Sequence, residues 1–167
     1  MLLAFGTAIF ALLSAWIGVR RADDRWVSSA RNAILIIFPL VLLAALSLVY
    51  SLVISDFTLN YVWQVSSRDM TTYLKDTALW GSQAGSLLFW NLLLAAFTAA
   101  AMLSKWHDQK ALMPYVIIVT GLTQIFFLFI SGFIESPFTR LAAIPPDGNG
   151  LNPLLRHPGM IIHPPML

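Results

Sequence analysis

Four apolar runs, at residues 1–19, 33–55, 85–103 and 114–134, contain no Asp, Glu, Lys, Arg or His. A charge at the centre of a bilayer costs about 2.5–3.5 kcal/mol on insertion scales, so runs this clean are what membrane-spanning helices require. The first run covers about 28 Å at 1.5 Å per residue, enough for the hydrocarbon core. It stops at Arg20-Arg21. A cleaved signal peptide carries its positive charge before the apolar core, so an uncleaved helix is expected here. Only 11% of the 167 residues are charged against 58% hydrophobic, with mean hydropathy +0.75. A soluble domain has about 25% charged residues, so the expected fold is an all-α integral membrane protein with about four transmembrane helices.

The connections set the orientation. Arg20, Arg21, Asp23, Asp24, Arg25 and Arg31 read as a short charged loop, and residues 104–113, with Lys105, His107, Asp108 and Lys110, as another. Pro39 falls early in the second span, where it can kink the helix, and Pro114 suits the first turn of the fourth. The two short loops carry four and two Lys or Arg; the longer segment 56–84 and the tail 135–167 carry two each. Cytoplasmic loops carry the excess of Lys and Arg, which puts the N-terminus, the long loop and the tail on the extracytoplasmic side. Tyr61, Trp63, Tyr73 and Trp80 recur through the long loop, and such rings favour the headgroup level. Tyr61-Val62-Trp63-Gln64-Val65 is compatible with a short strand.

Several chemistries are disfavoured. There is no cysteine, hence no disulfide, thiolate metal site or thioether to haem within the chain. The basic residues form no stripe, so no nucleic-acid partner is implied. Spans free of ionisable groups argue against a proton pump or ion-coupled transporter made by this chain alone. Asn91, Thr120, Thr123 and Gln124 are polar residues within the spans, and hydrogen bonding between helices is their ordinary use. His107 reads as a solvated loop residue. His157 and His163 stand among Pro, Gly and Asn with no Cys, Asp or Glu at zinc-ligand spacing. On composition alone, His163 before Pro164-Pro165 is more often a turn residue than a ligand. Trp80-Gly81-Ser82-Gln83-Ala84-Gly85-Ser86 running into Leu87-Leu88-Phe89-Trp90 allows two readings. One is a helix start in an aromatic belt; the other is a packed platform for a flat apolar ligand.

Read together, two stretches resemble the CcmF family of haem-handling proteins in cytochrome c maturation. One is Trp80 to Trp90, preceded by Tyr73-Leu74-Lys75; the other is Gly150-Leu151-Asn152-Pro153-Leu154-Leu155 followed by His163-Pro164-Pro165. The resemblance implies a component of a cytochrome c-type haem lyase in the cytoplasmic (inner) membrane, or the equivalent organelle membrane. Such a component holds haem b on the extracytoplasmic side for attachment to apocytochrome c. It implies that His163 is an axial ligand of the haem iron, with Trp80, Gly81 and Trp90 as weaker cofactor-binding candidates; His157 lies outside the family pattern. It also implies further segments, in this polypeptide or a second chain, that carry a tryptophan-rich haem platform and a second histidine. The remaining implied partners are a haem chaperone and other maturation subunits. The tail then leads toward another helix past Leu167, and no activity is expected of these 167 residues alone. The alternative is a non-catalytic membrane scaffold or accessory subunit of a respiratory or transport complex.

Overall fold

The computed structural model describes residues 1–157 together with 159 and 161. Among them the elements are helical, with a single isolated bridge, Leu59 to Arg140, in place of any strand. Four long helices are apolar and long enough to cross a membrane: α1 (Leu2–Arg21), α2 (Asp24–Val53), α5 (Gln83–Ser104) and α6 (Met113–Phe129). The last is extended by a π-helical turn to Ile134. Two short helices, α3 (Asn60–Val65) and α4 (Thr72–Thr77), lie between α2 and α5.

The first two helices meet through small residues. Ala4, Ala8, Ala11, Ala15 and Gly18 recur at helical spacing and are buried to the last atom or nearly so. In lipid there is little hydrophobic drive between helices, and close backbone approach supplies the attraction through dispersion. A Cβ on Gly18 would stand 2.6 Å from Cγ2 of Val27 on α2, so only glycine fits there. On α2, Ile34, Ile37, Val41, Ala45, Leu48 and Leu52 are buried, whereas Ile36, Leu43, Leu46 and Tyr50 are exposed to the surroundings of the bundle.

The stretch at 20–32 is not the loop that its charges suggest. Ala22 adopts a left-handed conformation (φ 49°) that ends α1, and its N–H reaches back to Val19 O. Asp23 is then the N-cap of α2, its carboxylate accepting from Arg25 N at 2.9 Å. An N-cap carboxylate satisfies a donor that would otherwise be orphaned, so the helix begins nine residues before the apolar run. At 30 residues α2 is about 45 Å long, more than the hydrocarbon core, and its first turns carry Arg25 and Arg31 beyond the apolar run. Pro114 occupies the first turn of α6, where its missing N–H is harmless.

With four antiparallel long helices, the two short connections fall at one end of the bundle. The second connection touches the start of α2: Lys110 Nζ pairs with Asp24 Oδ2 at 2.8 Å, and the Arg31 guanidinium lies 4.9 Å from the Trp106 ring centroid. The N-terminus, residues 54–82 and the chain after Ile134 share the opposite end.

Candidate functional site

At that opposite end the long loop and the tail form one hydrogen-bonded cap. Its first element is α3, where a strand was a possible reading; the structure makes it a six-residue helix. The alternating pattern loses to tertiary contacts. Tyr61 turns inward and is 3% exposed, and its phenol donates to Ala78 O at 2.8 Å and Leu79 O at 2.9 Å. Burial pushes the Tyr61 phenol above its ordinary value, opposed by the N–H groups of Ser82 and Gly81, so the group stays neutral.

The tail then supplies what α3 lacks at its C-terminal end. Asn149 N donates to Trp63 O at 2.8 Å and Gly150 N to Ser66 O at 3.0 Å, which pairs carbonyls that a short helix leaves open. Further back, Asn60 N donates to Thr139 O at 2.8 Å and Leu141 N to Thr58 O at 2.9 Å. Asp147 closes the seam, its Oδ1 accepting from Arg68 N at 3.0 Å and Gly148 N at 2.7 Å. The Arg68 N–H first, then that of Gly148, holds the Asp147 carboxyl below the usual carboxylate range. Gly148 is obligatory: a Cβ there would meet Ser66 O at 2.1 Å.

The segment from Trp80 to Trp90 explains itself in the same terms. Residues Ala78–Trp80 form a 3₁₀ turn, and α5 starts at Gln83. Ser86 Oγ donates to Trp80 O at 3.1 Å and ties the turn to the helix. A Cβ on Gly85 would stand 2.0 Å from both Leu79 O and the Tyr61 hydroxyl. A Cβ on Gly81 would stand 2.7 Å from Cδ1 of Leu151, which is buried at 2% exposure. The Trp80 ring packs at 5.2 Å from Phe89, and its indole N–H donates to Ile161 O at 3.0 Å. Thr77, Trp80, Gly81, Leu151, Leu155 and Ile161 enclose only about 10 Å³, room for one water at most. The face that the sequence offers to a flat ligand is packed against Leu151, Leu155 and Ile161 of the chain's own tail. Trp90 points elsewhere: it is 45% exposed on α5, edge-on to Phe127.

Lys75 belongs to the cap as well. It is buried, with Nζ 2.6 Å from Ser55 Oγ just past the end of α2. A cation suits the carbonyl end of a helix. His157 is exposed and its Nδ1 accepts from Gly159 N at 3.2 Å, while His107 is exposed at the other end of the bundle. His163, the expected haem ligand, lies outside the described residues. Among the described residues no three or more His, Cys, Asp or Glu side chains are gathered for a metal. In the spans, Gln124 donates from Nε2 to Asn91 Oδ1 and to Asn91 O, joining α6 to α5, while Thr120 and Thr123 bond carbonyls of their own helix.

Residues 80–167 match the family described as Cytochrome C assembly protein. The chain belongs to that family. Within it, similarity runs to curated cytochrome c-type biogenesis proteins. The Rhodobacter capsulatus protein ccl1 is 35% identical over 167 residues, covering 100% of this chain and 26% of that protein. CcmF of Escherichia coli K12 is 36% identical, covering 99% of this chain and 26% of its own length. The probable biogenesis protein NrfE of the same organism is 40% identical, covering 93% and 28%. The solved structure of the cytochrome c haem lyase CcmF superposes with a TM-score of 0.79 at 26% identity, over 98% of this chain and 25% of that one. The chain thus spans about a quarter of the length of the relatives it matches. As a cytochrome c assembly family member it is an all-α, multi-pass membrane protein. The family match begins at Trp80, the residue that holds the cap to α5 and to the tail.

Sequence reasoning passed over Gly148 and Asp147, and it named Tyr61 and Lys75 without their buried hydrogen-bonding roles. Only Gly148 carried a usable sign, sitting beside Asn149-Gly150 where tight backbone is common. The partners of the others lie 17 to 79 residues away along the chain.

Proposed function

We propose that this chain is part of a cytochrome c haem lyase and helps to present haem, as substrate, to apocytochrome c. The superposition on the haem lyase CcmF over 98% of the chain carries this reading. The side of the membrane follows from charge. Six of the ten Lys and Arg, against three of the eight acids, lie at the end of the two short connections, which is therefore placed in the cytoplasm. The cap and the tail then face the extracytoplasmic side of the inner membrane or its organelle counterpart.

In this reading the ligand is His163. A neutral imidazole coordinates haem iron, as an axial ligand of haem b here, and Pro164-Pro165 restrict the backbone that carries it, so less entropy is lost on binding. The exposed ring of Trp90 is available to an apolar haem edge from a neighbouring segment. A tryptophan-rich platform and a second histidine come from other segments of the lyase, and a haem chaperone and apocytochrome c are the partners on that side.

The experiment is His163→Ala in the full chain, in membranes with its maturation partners. Lower haem content or a shifted haem spectrum is expected, with partial restoration by added imidazole, while His157→Ala leaves both unchanged. Normal haem loading, spectrum and cytochrome maturation in His163→Ala would refute the ligand role and leave a membrane scaffold as the better reading.

A further inference from the structure

We infer that Trp80 is a positioning residue for the end of the tail, anchoring it two residues before His163. The inference rests on the reading of His163 as a haem ligand. Its geometry is independent of that reading. The indole N–H of Trp80 donates to Ile161 O at 3.0 Å, and an indole is a donor with no other use for that proton. The residue is fixed at its ring by one contact and along its backbone by two. Phe89 packs at 5.2 Å, Ser86 Oγ holds the Trp80 carbonyl, and Gly81 N closes the turn onto Ala78 O at 3.0 Å. Beside it the missing Cβ of Gly81 admits Leu151, and Leu155 and Ile161 complete the contact.

On the tail side, Ile161 N donates to His157 O at 3.1 Å, so Ile161 is held through both its N–H and its carbonyl. Two residues of chain reach at most about 7 Å. An anchor at Ile161 therefore limits where residue 163 can go, and it does so from the 3₁₀ turn that leads into α5, a spanning helix. The motif around Trp80 acts on haem through the tail and not by touching it. Among the described residues, Trp80 is the one side chain of the cap that donates to a backbone carbonyl past His157.

The test compares Trp80→Phe with His163→Ala in the full chain purified with its maturation partners. Trp80→Phe keeps an aromatic ring against Phe89 and removes only the N–H and part of the ring area. Two readouts are taken. The first is trypsin cleavage after Arg156 in haem-free protein, which follows the population of the released tail. It is expected to rise about tenfold in Trp80→Phe, the loss of one hydrogen bond and its packing. The second is the low-spin electron paramagnetic resonance signal of bound haem, together with the imidazole concentration that displaces the native ligand. In Trp80→Phe the signal broadens and displacement occurs at about tenfold lower imidazole. Unchanged cleavage overturns the anchor, whatever the haem does. Faster cleavage with a wild-type haem signal, while His163→Ala alters it, overturns the positioning role and leaves packing alone. A His163→Ala variant with a wild-type signal removes the ligand reading itself, and the cleavage arm then still decides whether Trp80 holds the tail.

Discussion

The two ends of the bundle are built by opposite means. At one end the helices are joined by a left-handed turn at Ala22 and by residues 105–112, and the second connection is linked to the start of α2 by an exposed ion pair, Lys110 to Asp24, and by the Arg31 guanidinium over Trp106. Exposed pairs contribute about 0–1 kcal/mol, so this end is held mainly by the helices themselves. At the other end some fifty residues of loop and tail are joined by backbone hydrogen bonds between segments about 80 residues apart in sequence, with glycines where the backbones meet. The bundle's own interior is a third situation, made of Ala stripes and one amide pair, Gln124 with Asn91. The difference teaches where this chain invests specificity. Charge gathers at one end, small residues bring helices together, and directional bonds at the other end fix the path of the tail.

Perturbations should separate these regions. The largest effect is expected at the cap's glycine corners. Gly85→Ala or Gly148→Ala forces a methyl to within about 2 Å of a carbonyl oxygen, and such overpacking against backbone costs about 3 kcal/mol. Limited proteolysis should then cut in both 56–82 and 136–157 while the helical circular dichroism of the bundle is retained. Equal loss of helix would mean that cap and bundle form a single cooperative unit.

A smaller effect belongs to the interior. Gln124→Leu removes the amide that bonds Asn91 and leaves a buried carboxamide whose Nδ2 already has no partner among the described residues. Interhelical hydrogen bonds in lipid are worth about 0.6–1.7 kcal/mol, so stability should fall by about 1 kcal/mol, read as a lower thermal midpoint in detergent with the cap still protected. A cap that loosens together with α5 and α6 would break the separation between regions.

The smallest effect is pH-dependent. Asp147 has its folded pKa depressed by the N–H groups of Arg68 and Gly148. A depressed carboxylate stabilises the folded form above its ordinary value, about 4, and that contribution is lost as pH falls through the depressed value. Protease sensitivity of the seam at 146–150 should therefore rise only in strong acid, and Asp147→Asn should remove that dependence. Because the carboxylate is fully exposed, the change is modest.

How much of this was legible in sequence follows the same division. The spanning helices stood out because a bilayer tolerates no unpaired charge, which makes a charge-free run an unambiguous signal. The beginning of α2 did not, because Arg25 and Arg31 read as loop residues until Asp23 is seen to cap the helix that carries them. Tyr61 to Val65 had the alternation and aromatic content of a strand. It is a helix because a phenol is drawn inward to Ala78 and Leu79 and a tail amide caps its end, and neither partner is near in sequence. The glycines at 81 and 85 signalled close approach, but not that the approaching groups would be Leu151 and Tyr61.

Loop and tail form one docked cap. Amide hydrogen exchange of the full chain in lipid nanodiscs tests it most directly. The N–H groups of Asn149 and Gly150, which donate to Trp63 and Ser66, should exchange as slowly as those of Val65 and Ser66 within and just after α3. Exchange of Asn149 and Gly150 at the rate of an unstructured peptide, with α3 still protected, would contradict the docked cap and with it the anchored tail.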